Sequence, residues 1–200
     1  MKVAILALQG AFIEHKYVLD SLNVNSFEIR QLKDINTSFN GLIIPGGEST
    51  TIGKLLVDLN LFTPLKNIIQ NGLPVFGTCA GAILLAKEVV NAADEATNTN
   101  ENIEKRFNPF ATMDIEIKRN AYGRQLGSFF TKGKFNDTII PMSFIRAPII
   151  SKVSDDCNIL STVNSDITAV RQANQLATTF HPELKTSEVH KYFIEMVKAC

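Results

Sequence analysis

Apolar residues fall along this chain first in strand-length runs and then at helical spacing, in alternation. Val3-Ala4-Ile5-Leu6-Ala7-Leu8 is a short apolar run that predicts a buried first strand over about residues 2 to 8. Phe12, His15, Val18, Leu19 and Leu22 then recur at helical spacing and predict a helix from about 11 to 23. Ser26 to Leu32 alternates like a second strand, and Gly41-Leu42-Ile43-Ile44 reads as a wholly apolar third, ended by Pro45-Gly46-Gly47. Ser49 or Thr50 can cap a helix running to about Leu59. Thr63-Pro64 opens the next helix as N-cap and first helical residue, and Asn71-Gly72 closes it. Pro74-Val75-Phe76-Gly77 is again strand-like, and an Ala/Leu-rich helix follows from Ala80 to about Val90. Strands alternating with helices indicate an α/β fold whose sheet is parallel and covered on both faces.

The pattern changes after that helix. Asn91 to Arg106 is polar, rich in Asn and Glu and without apolar period, and reads as an exposed loop. Shorter, meander-like strands follow at Met113 to Arg119, Ser128 to Thr131, Phe144 to Ile150, Asn158 to Val163, Asp166 to Arg171 and Leu176 to Thr179. Thr186 to Ala199 closes the chain as a helix with Val189, Tyr192, Phe193, Met196 and Val197 on one face. There is no internal repeat and no linker, so residues 1–200 are expected to form one domain.

Composition narrows the functional classes. With 45% hydrophobic residues the chain can bury a substantial core. Its 20 basic and 20 acidic residues cancel, which removes any electrostatic case for nucleic acid or an anionic membrane. The first apolar run is too short for a membrane span and lacks a signal-peptide pattern. The three cysteines, at 79, 157 and 200, are widely spaced, with no CxxC pair. That suits a reducing, cytoplasmic setting with at most one functional thiol and argues against a disulfide framework or a zinc site.

Candidate chemistry centres on Gly77-Thr78-Cys79-Ala80-Gly81, between a strand and a helix. Gly-x-Cys-x-Gly has the spacing of a nucleophile elbow, a sharp turn that holds a side chain clear of the backbone. The helix that follows would turn its positive end toward the sulfur and favour thiolate. Taken alone, the same residues also fit a small buried cysteine in a tight turn. A thiol nucleophile needs a base and a group to orient that base. Of the three histidines, His15 and His190 lie within amphipathic helices and read as packed or surface residues. His181, in Phe180-His181-Pro182-Glu183, lies just past an apolar strand, where catalytic groups collect in parallel sheets. In an extended segment Glu183 would share its face and accept the ring N–H. Pro45-Gly46-Gly47-Glu48-Ser49-Thr50 offers backbone N–H groups ahead of a helix, a nest for an anion or a developing oxyanion. It lacks the Gly-Lys-Ser/Thr of a Walker loop, and nothing in the pattern calls for a cofactor or a metal.

In this order on an α/β scaffold, the glycine loop, the Gly-Thr-Cys-Ala-Gly elbow and Phe-His-Pro-Glu resemble the class I, triad-type glutamine amidotransferases. Leu8-Gln9-Gly10-Ala11-Phe12-x-x-His15, Pro45-Gly46-Gly47-Glu48-Ser49-Thr50-Thr51, Arg119-Asn120-Ala121-Tyr122-Gly123-Arg124-Gln125 and Phe144-Ile145-Arg146-Ala147-Pro148 are similar to the glutaminase-subunit family of pyridoxal 5′-phosphate synthases. The resemblance covers residues 8 to 183, and the polar stretch Asn91 to Arg106 is its main departure. It implies a three-layer, flavodoxin-like sandwich with a mostly parallel central sheet and the elbow at Cys79. It implies hydrolysis of the side-chain amide of L-glutamine by Cys79, His181 and Glu183, with Gly47 and Ala80 as the oxyanion hole. Gly47, Glu48, Ser49, Arg119, Ile145 and Arg146 would form the glutamine pocket. Ammonia would pass to a synthase subunit that makes pyridoxal phosphate, with Gln9 and Gly10 as contact or gating residues. Two other classes fit parts of the pattern: a stand-alone cysteine hydrolase or peptidase, and a non-catalytic regulatory subunit that keeps the scaffold for docking.

Overall fold

The computed structural model describes residues 1–91, 109–119 and 127–200. Its first half alternates as the sequence predicts: β1 (Lys2–Leu6), α1 (Phe12–Ser21), β2 (Asn25–Ile29), β3 (Gly41–Ile44), α2 (Ser49–Asp58), α3 (Phe62–Gln70), β4 (Val75–Thr78) and α4 (Ala80–Leu85). Then come β5 (Ala86–Asn91), β6 (Met113–Arg119), β7 (Ser128–Phe135), β8 (Thr138–Ile145), β9 (Ile149–Val153), β10 (Asn158–Val163), β11 (Asp166–Gln172), β12 (Gln175–Thr178) and α5 (Glu188–Lys198).

The main sheet runs β2-β1-β3-β4-β12-β11-β9-β6-β5, with β10 on β11. The five strands from β2 to β12 pair in parallel, in the order of a flavodoxin-like sheet. Its fifth place is filled by β12, which arrives about a hundred residues after β4. Beyond it the sheet turns antiparallel through β11, β9 and β6. Strands buried on both faces need apolar side chains in both directions, and β1, β3 and β4 supply them. Ala4, Leu6, Leu42, Ile44 and Val75 pack on one side with Ile52, Leu56, Leu65 and Ile69 of α2 and α3. Val3, Ile5, Ile43 and Phe76 pack on the other with Leu19 of α1 and Val189, Phe193 and Val197 of α5. Those two clusters are the two interfaces of a three-layer sandwich. Among the described residues the β7–β8 hairpin pairs only with itself, and it adds Phe135, Ile140, Met142 and Phe144 to the second cluster.

Several local expectations are corrected. Neither Ser49 nor Thr50 caps α2: Glu48 does, its carboxylate accepting from the amides of Thr50 and Thr51. A carboxylate offers two acceptors to the exposed first turn and complements the helix dipole. Helix α3 begins at Phe62 with Leu61 as its N-cap residue, so Thr63-Pro64 lies inside its first turn. That position tolerates proline because the missing N–H has no intrahelical acceptor. The helix after the elbow stops at Leu85 instead of reaching Val90, and Ala86–Asn91 pairs with β6. The segment Phe144 to Ile150 is not one strand. Arg146, at φ 44°, breaks it between β8 and β9. The polar stretch Asn91 to Arg106 lies outside the described residues except for Asn91, as do residues 120–125 of the Arg119 to Gln125 block.

Candidate active site

The parallel strands β3, β4 and β12 end together at one edge of the sheet, and each hands the chain to a turn that carries chemistry. After β4, Cys79 adopts φ 47° and ψ −100°, a conformation that costs a non-glycine residue on the order of 1–3 kcal/mol. The fold holds it there: the Cys79 amide donates to the Thr178 carbonyl at 2.8 Å, and α4 starts at once. Gly81 makes this possible, since a Cβ there would sit 2.0 Å from the Ile44 carbonyl oxygen. Cys79 is therefore at a strained strand-to-helix elbow, as its spacing predicts. The helix is only 6 residues long, so the thiol owes less to a helix dipole than the sequence suggests.

After β12, the His181 amide donates to the Ser143 carbonyl at 2.8 Å, fixing the backbone against the hairpin. The link to Glu183 is a 3-10 turn, Pro182–Leu184, where the sequence argument assumed an extended segment. The turn brings the carboxylate back even so, and His181 Nδ1 lies 2.6 Å from Glu183 Oε1. Burial by itself would lower the pKa of His181. Hydrogen bonds to Cys79 and Glu183, and their negative charge, override it and push the pKa up to about 10. An imidazolium between a thiol and a carboxylate is the charge distribution of a Cys-His-acid unit.

A cleft of about 340 Å3 opens above these groups. Gln9, Gly10, Gly47, Glu48, Ser49, Cys79, Arg119, Ile145, Arg146 and His181 all line it, so nearly every residue singled out from sequence meets in one place. The two that do not line it lie beneath: Glu183 behind His181, and Ala80 as the first residue of α4. Arg119 Nη2 stands 3.2 Å from Thr50 Oγ1 and 3.5 Å from Glu48 Oε1. Partial burial would raise the Glu48 pKa, but hydrogen bonds from Thr51 and Thr50 outweigh it and hold the carboxyl below its usual range. The strained Arg146 backbone turns that residue into the cleft, and the Ile145 carbonyl oxygen lies 4.0 Å from Cys79 Sγ.

The glycine loop is stitched to the end of β1. Gln9 Oε1 accepts from the Glu48 amide at 2.8 Å, and the Ala11 amide donates to the Gly46 carbonyl at 2.9 Å. Gly10, at φ 98°, has no room for a side chain, since a Cβ would fall 1.9 Å from that same carbonyl oxygen.

Sequence reasoning missed the layer behind Glu183. His15 and His190 are both fully buried, 2.8 Å apart through Nδ1 and Nε2. His15 Nε2 lies 3.2 Å from Thr78 Oγ1 and 3.6 Å from Glu183 Oε2. Burial, followed by the proximity of His190 and His181, lowers the pKa of His15 well below its usual value. Burial alone drops that of His190 to about 3. Neither is a surface histidine. The one sequence signal was the presence of His15 in the block that begins at Leu8.

Among the described residues no group of His, Cys, Asp or Glu could hold a metal ion, and no helix is long and apolar enough to cross a membrane. The three cysteines are free thiols.

Comparison with known proteins gives this arrangement a family. The chain is 51% identical over 203 residues to the pyridoxal 5′-phosphate synthase subunit PdxT of Streptococcus pneumoniae (strain CGSP14), covering 99% of this chain and 98% of that one. It is 50% identical to the protein of the same name from Haemophilus influenzae (strain PittGG), with 99% of each chain covered. Among solved structures, a glutamine amidotransferase superposes with a TM-score of 0.86 at 35% identity, covering 98% of both chains. The model of the SNO glutamine amidotransferase family matches residues 5–199, and this chain belongs to that family.

Proposed function

We propose that this chain hydrolyses the side-chain amide of L-glutamine to glutamate and ammonia, and delivers the ammonia to a pyridoxal 5′-phosphate synthase subunit. The observation that carries the reading is His181, 2.6 Å from Glu183 Oε1 and lining the same cleft as Cys79. The relatives' shared name and the family match over residues 5–199 support the substrate and the partner.

The chemistry follows from the geometry. Cys79 thiolate attacks the amide carbon, and the oxygen gathers negative charge. The backbone N–H groups of Gly47 and Ala80 stabilise it. His181, held as imidazolium, gives its proton to the departing nitrogen, and ammonia leaves. The neutral ring then takes a proton from water, which attacks the thioester and releases glutamate. Glu183 fixes the tautomer and balances the imidazolium charge. Gly47, Glu48, Ser49 and Ile145 shape the pocket. The guanidiniums of Arg119 and Arg146 suit the α-carboxylate of a free amino acid, because paired N–H donors supply geometry as well as charge. A peptidase has no use for that carboxylate site, and a docking scaffold has no use for the strained Cys79.

The whole chain, residues 1–200, acts as one glutaminase domain and uses no cofactor of its own. Ammonia released into neutral water becomes ammonium and ceases to be a nucleophile, so hydrolysis is useful only beside the acceptor enzyme. Gln9 and Gly10, bound to the oxyanion loop, are the contact or gating residues for that partner. Three free thiols, one of them the nucleophile, suit the reducing cytoplasm. The test is a glutaminase assay with and without the synthase subunit, on wild type and on Cys79→Ala. Glutamate release that rises with the synthase and vanishes in the variant is the expected result. Near-wild-type turnover in Cys79→Ala refutes the mechanism.

A further inference from the structure

The fully buried carboxylate of Glu183 is served on one side only. Oε1 has His181, whereas Oε2 has no hydrogen-bond partner within 3.5 Å among the described residues. A buried carboxylate oxygen without a donor is expensive, and buried polar atoms normally find one. The nearest candidate is His15 Nε2 at 3.6 Å, both side chains having no exposure at all. We propose that His15 is a positioning residue for the Cys79–His181–Glu183 unit: its Nε2–H serves Glu183 Oε2, and His190 holds it in that tautomer. The inference rests on the triad reading above and extends it by one layer.

The tautomer follows from counting protons. With the proton on Nε2, His15 directs an N–H into the space between Thr78 Oγ1 and Glu183 Oε2. Its Nδ1 then accepts from His190 Nε2–H at 2.8 Å. His190 Nδ1 is left as a bare lone pair, and it is indeed the ring nitrogen without a partner among the described residues. With the proton on Nδ1, two things go wrong together. A lone pair of His15 faces a carboxylate, and the His190 proton moves to Nδ1, a buried N–H with no acceptor among the described residues. An unpaired buried donor together with a lone pair set against an anionic oxygen is the costlier arrangement. Doubly protonated rings are disfavoured as well, since both imidazoles are buried against Phe76, with ring centroids 6.0 Å and 5.6 Å from it.

The consequence is mechanical. A carboxylate held through one oxygen can rotate about its last bond, and His181 would turn with it. Held through both, it fixes the ring plane and keeps His181 aimed at Cys79. His15 is delivered by α1, where only it and Leu19 are fully buried, so the inward stripe of this helix serves the site as much as the core.

The test uses the complex with the synthase subunit and glutamine as substrate. His15→Phe keeps a planar ring and removes the donor. It should lower kcat on the order of 10–10²-fold, the weight of one hydrogen bond to a buried charge, with KM unchanged. His15→Gln should recover most of the loss, because a side-chain amide can present an N–H to the same oxygen. Full kcat in His15→Phe overturns the proposal, and so does equal impairment in Phe and Gln. A second measurement needs no variant: 15N NMR of histidine-labelled wild type at pH 7 should show His15 as the neutral Nε2–H tautomer. The Nδ1–H or doubly protonated form refutes it. Cys79→Ala and His181→Asn are assayed alongside. If these retain turnover, the triad reading itself fails. If they are inactive and His15→Phe is not impaired, only the present inference fails.

Discussion

Mild acid should destabilise this protein in a pH window set by its buried histidines. His190 has no solvent exposure, and its pKa lies at about 3 in the fold because burial penalises the charged ring. Unfolded, the same ring titrates near an ordinary ~6.5. Between those values the unfolded chain binds a proton that the folded chain refuses, so stability falls as pH falls. At pH 5 the unfolded state gains a factor of roughly 30 from this one group, about 2 kcal/mol relative to pH 7. His15, shifted in the same direction, adds to the loss. His181 does not. Its pKa is raised to about 10, so its stabilising contribution is complete below ~6.5 and is lost only as pH climbs toward 10. The carboxyls held low, Glu48, Asp114, Glu116 and Asp156, start from ordinary values of 4.5 or 3.8 and act chiefly below pH 5, outside the interval from pH 7 to pH 5. The assay is urea unfolding of the full chain at pH 7 and pH 5, for wild type and His190→Leu. Whatever the substitution costs at pH 7, the drop between the two pH values should shrink by about 2 kcal/mol, the share of His190. A wild-type stability that is flat across the window, or an unchanged drop in His190→Leu, would show that the ring is not buried and neutral.

The site offers three shorter tests. Glu183→Gln keeps an acceptor for the His181 ring but removes the charge that helps lift its pKa, so the alkaline limb of the glutaminase pH profile should move down from about 10, with kcat reduced; a limb that stays in place would detach Glu183 from His181. Gly46→Ala should inactivate the enzyme with little loss of fold, because the new Cβ would fall 2.3 Å from His181 Cε1 and displace the ring, and wild-type turnover would contradict that packing. Arg146→Lys keeps a positive charge but loses the planar fork, so KM for glutamine should rise, and unchanged kinetics would remove Arg146 from substrate binding.

Much of this site was legible because its parts are local. Gly-x-Cys-x-Gly states its own turn, and a glycine pair after a wholly apolar strand marks a backbone nest at the sheet edge. The alternation of the first four strands with helices also followed from periodicity, since wholly apolar runs and helical stripes are one-dimensional signals, whereas the place of β12 as the fifth parallel strand did not. What stayed hidden depends on partners distant in sequence. The strand character of Ala86–Asn91 comes from pairing with β6, which overrode the helical propensity of its Ala and Glu. The break at Arg146 comes from a strained backbone that no propensity scale foresees. His15 and His190 are separated by 175 residues, and only the packing of α1 beside α5 turns two apparently ordinary histidines into one buried pair. Arg119 and Arg146 likewise meet only through the antiparallel extension of the sheet, and nothing but family resemblance could have joined them in advance.

Dependence on the partner is the remaining expectation, and its place of action follows from the oxyanion role proposed for Gly47. The loop that carries Gly47 is bound to the end of β1 by the Gln9 side chain and by the Ala11 amide. Anything that presses on the start of α1 therefore acts on the oxyanion loop through two hydrogen bonds. Ile13 and Tyr17 stand one turn apart on that helix, 44% and 68% exposed, and offer an apolar foothold beside the linkage. A docked synthase subunit would favour the loop arrangement it binds better, in proportion to its preference for that state. One oxyanion donor is worth ~2.7–4 kcal/mol, so completing the hole should raise turnover on the order of 10²–10³-fold. The gain should be in kcat as well as in apparent affinity, and alkylation of Cys79 by a glutamine-analogue electrophile should accelerate with it. Ile13→Glu lies outside the cleft, so it should spare the basal rate while abolishing the activation. If the isolated chain already turns over as fast as the complex, the loop needs no partner to complete it, and the gating role of Gln9 falls while the triad stands.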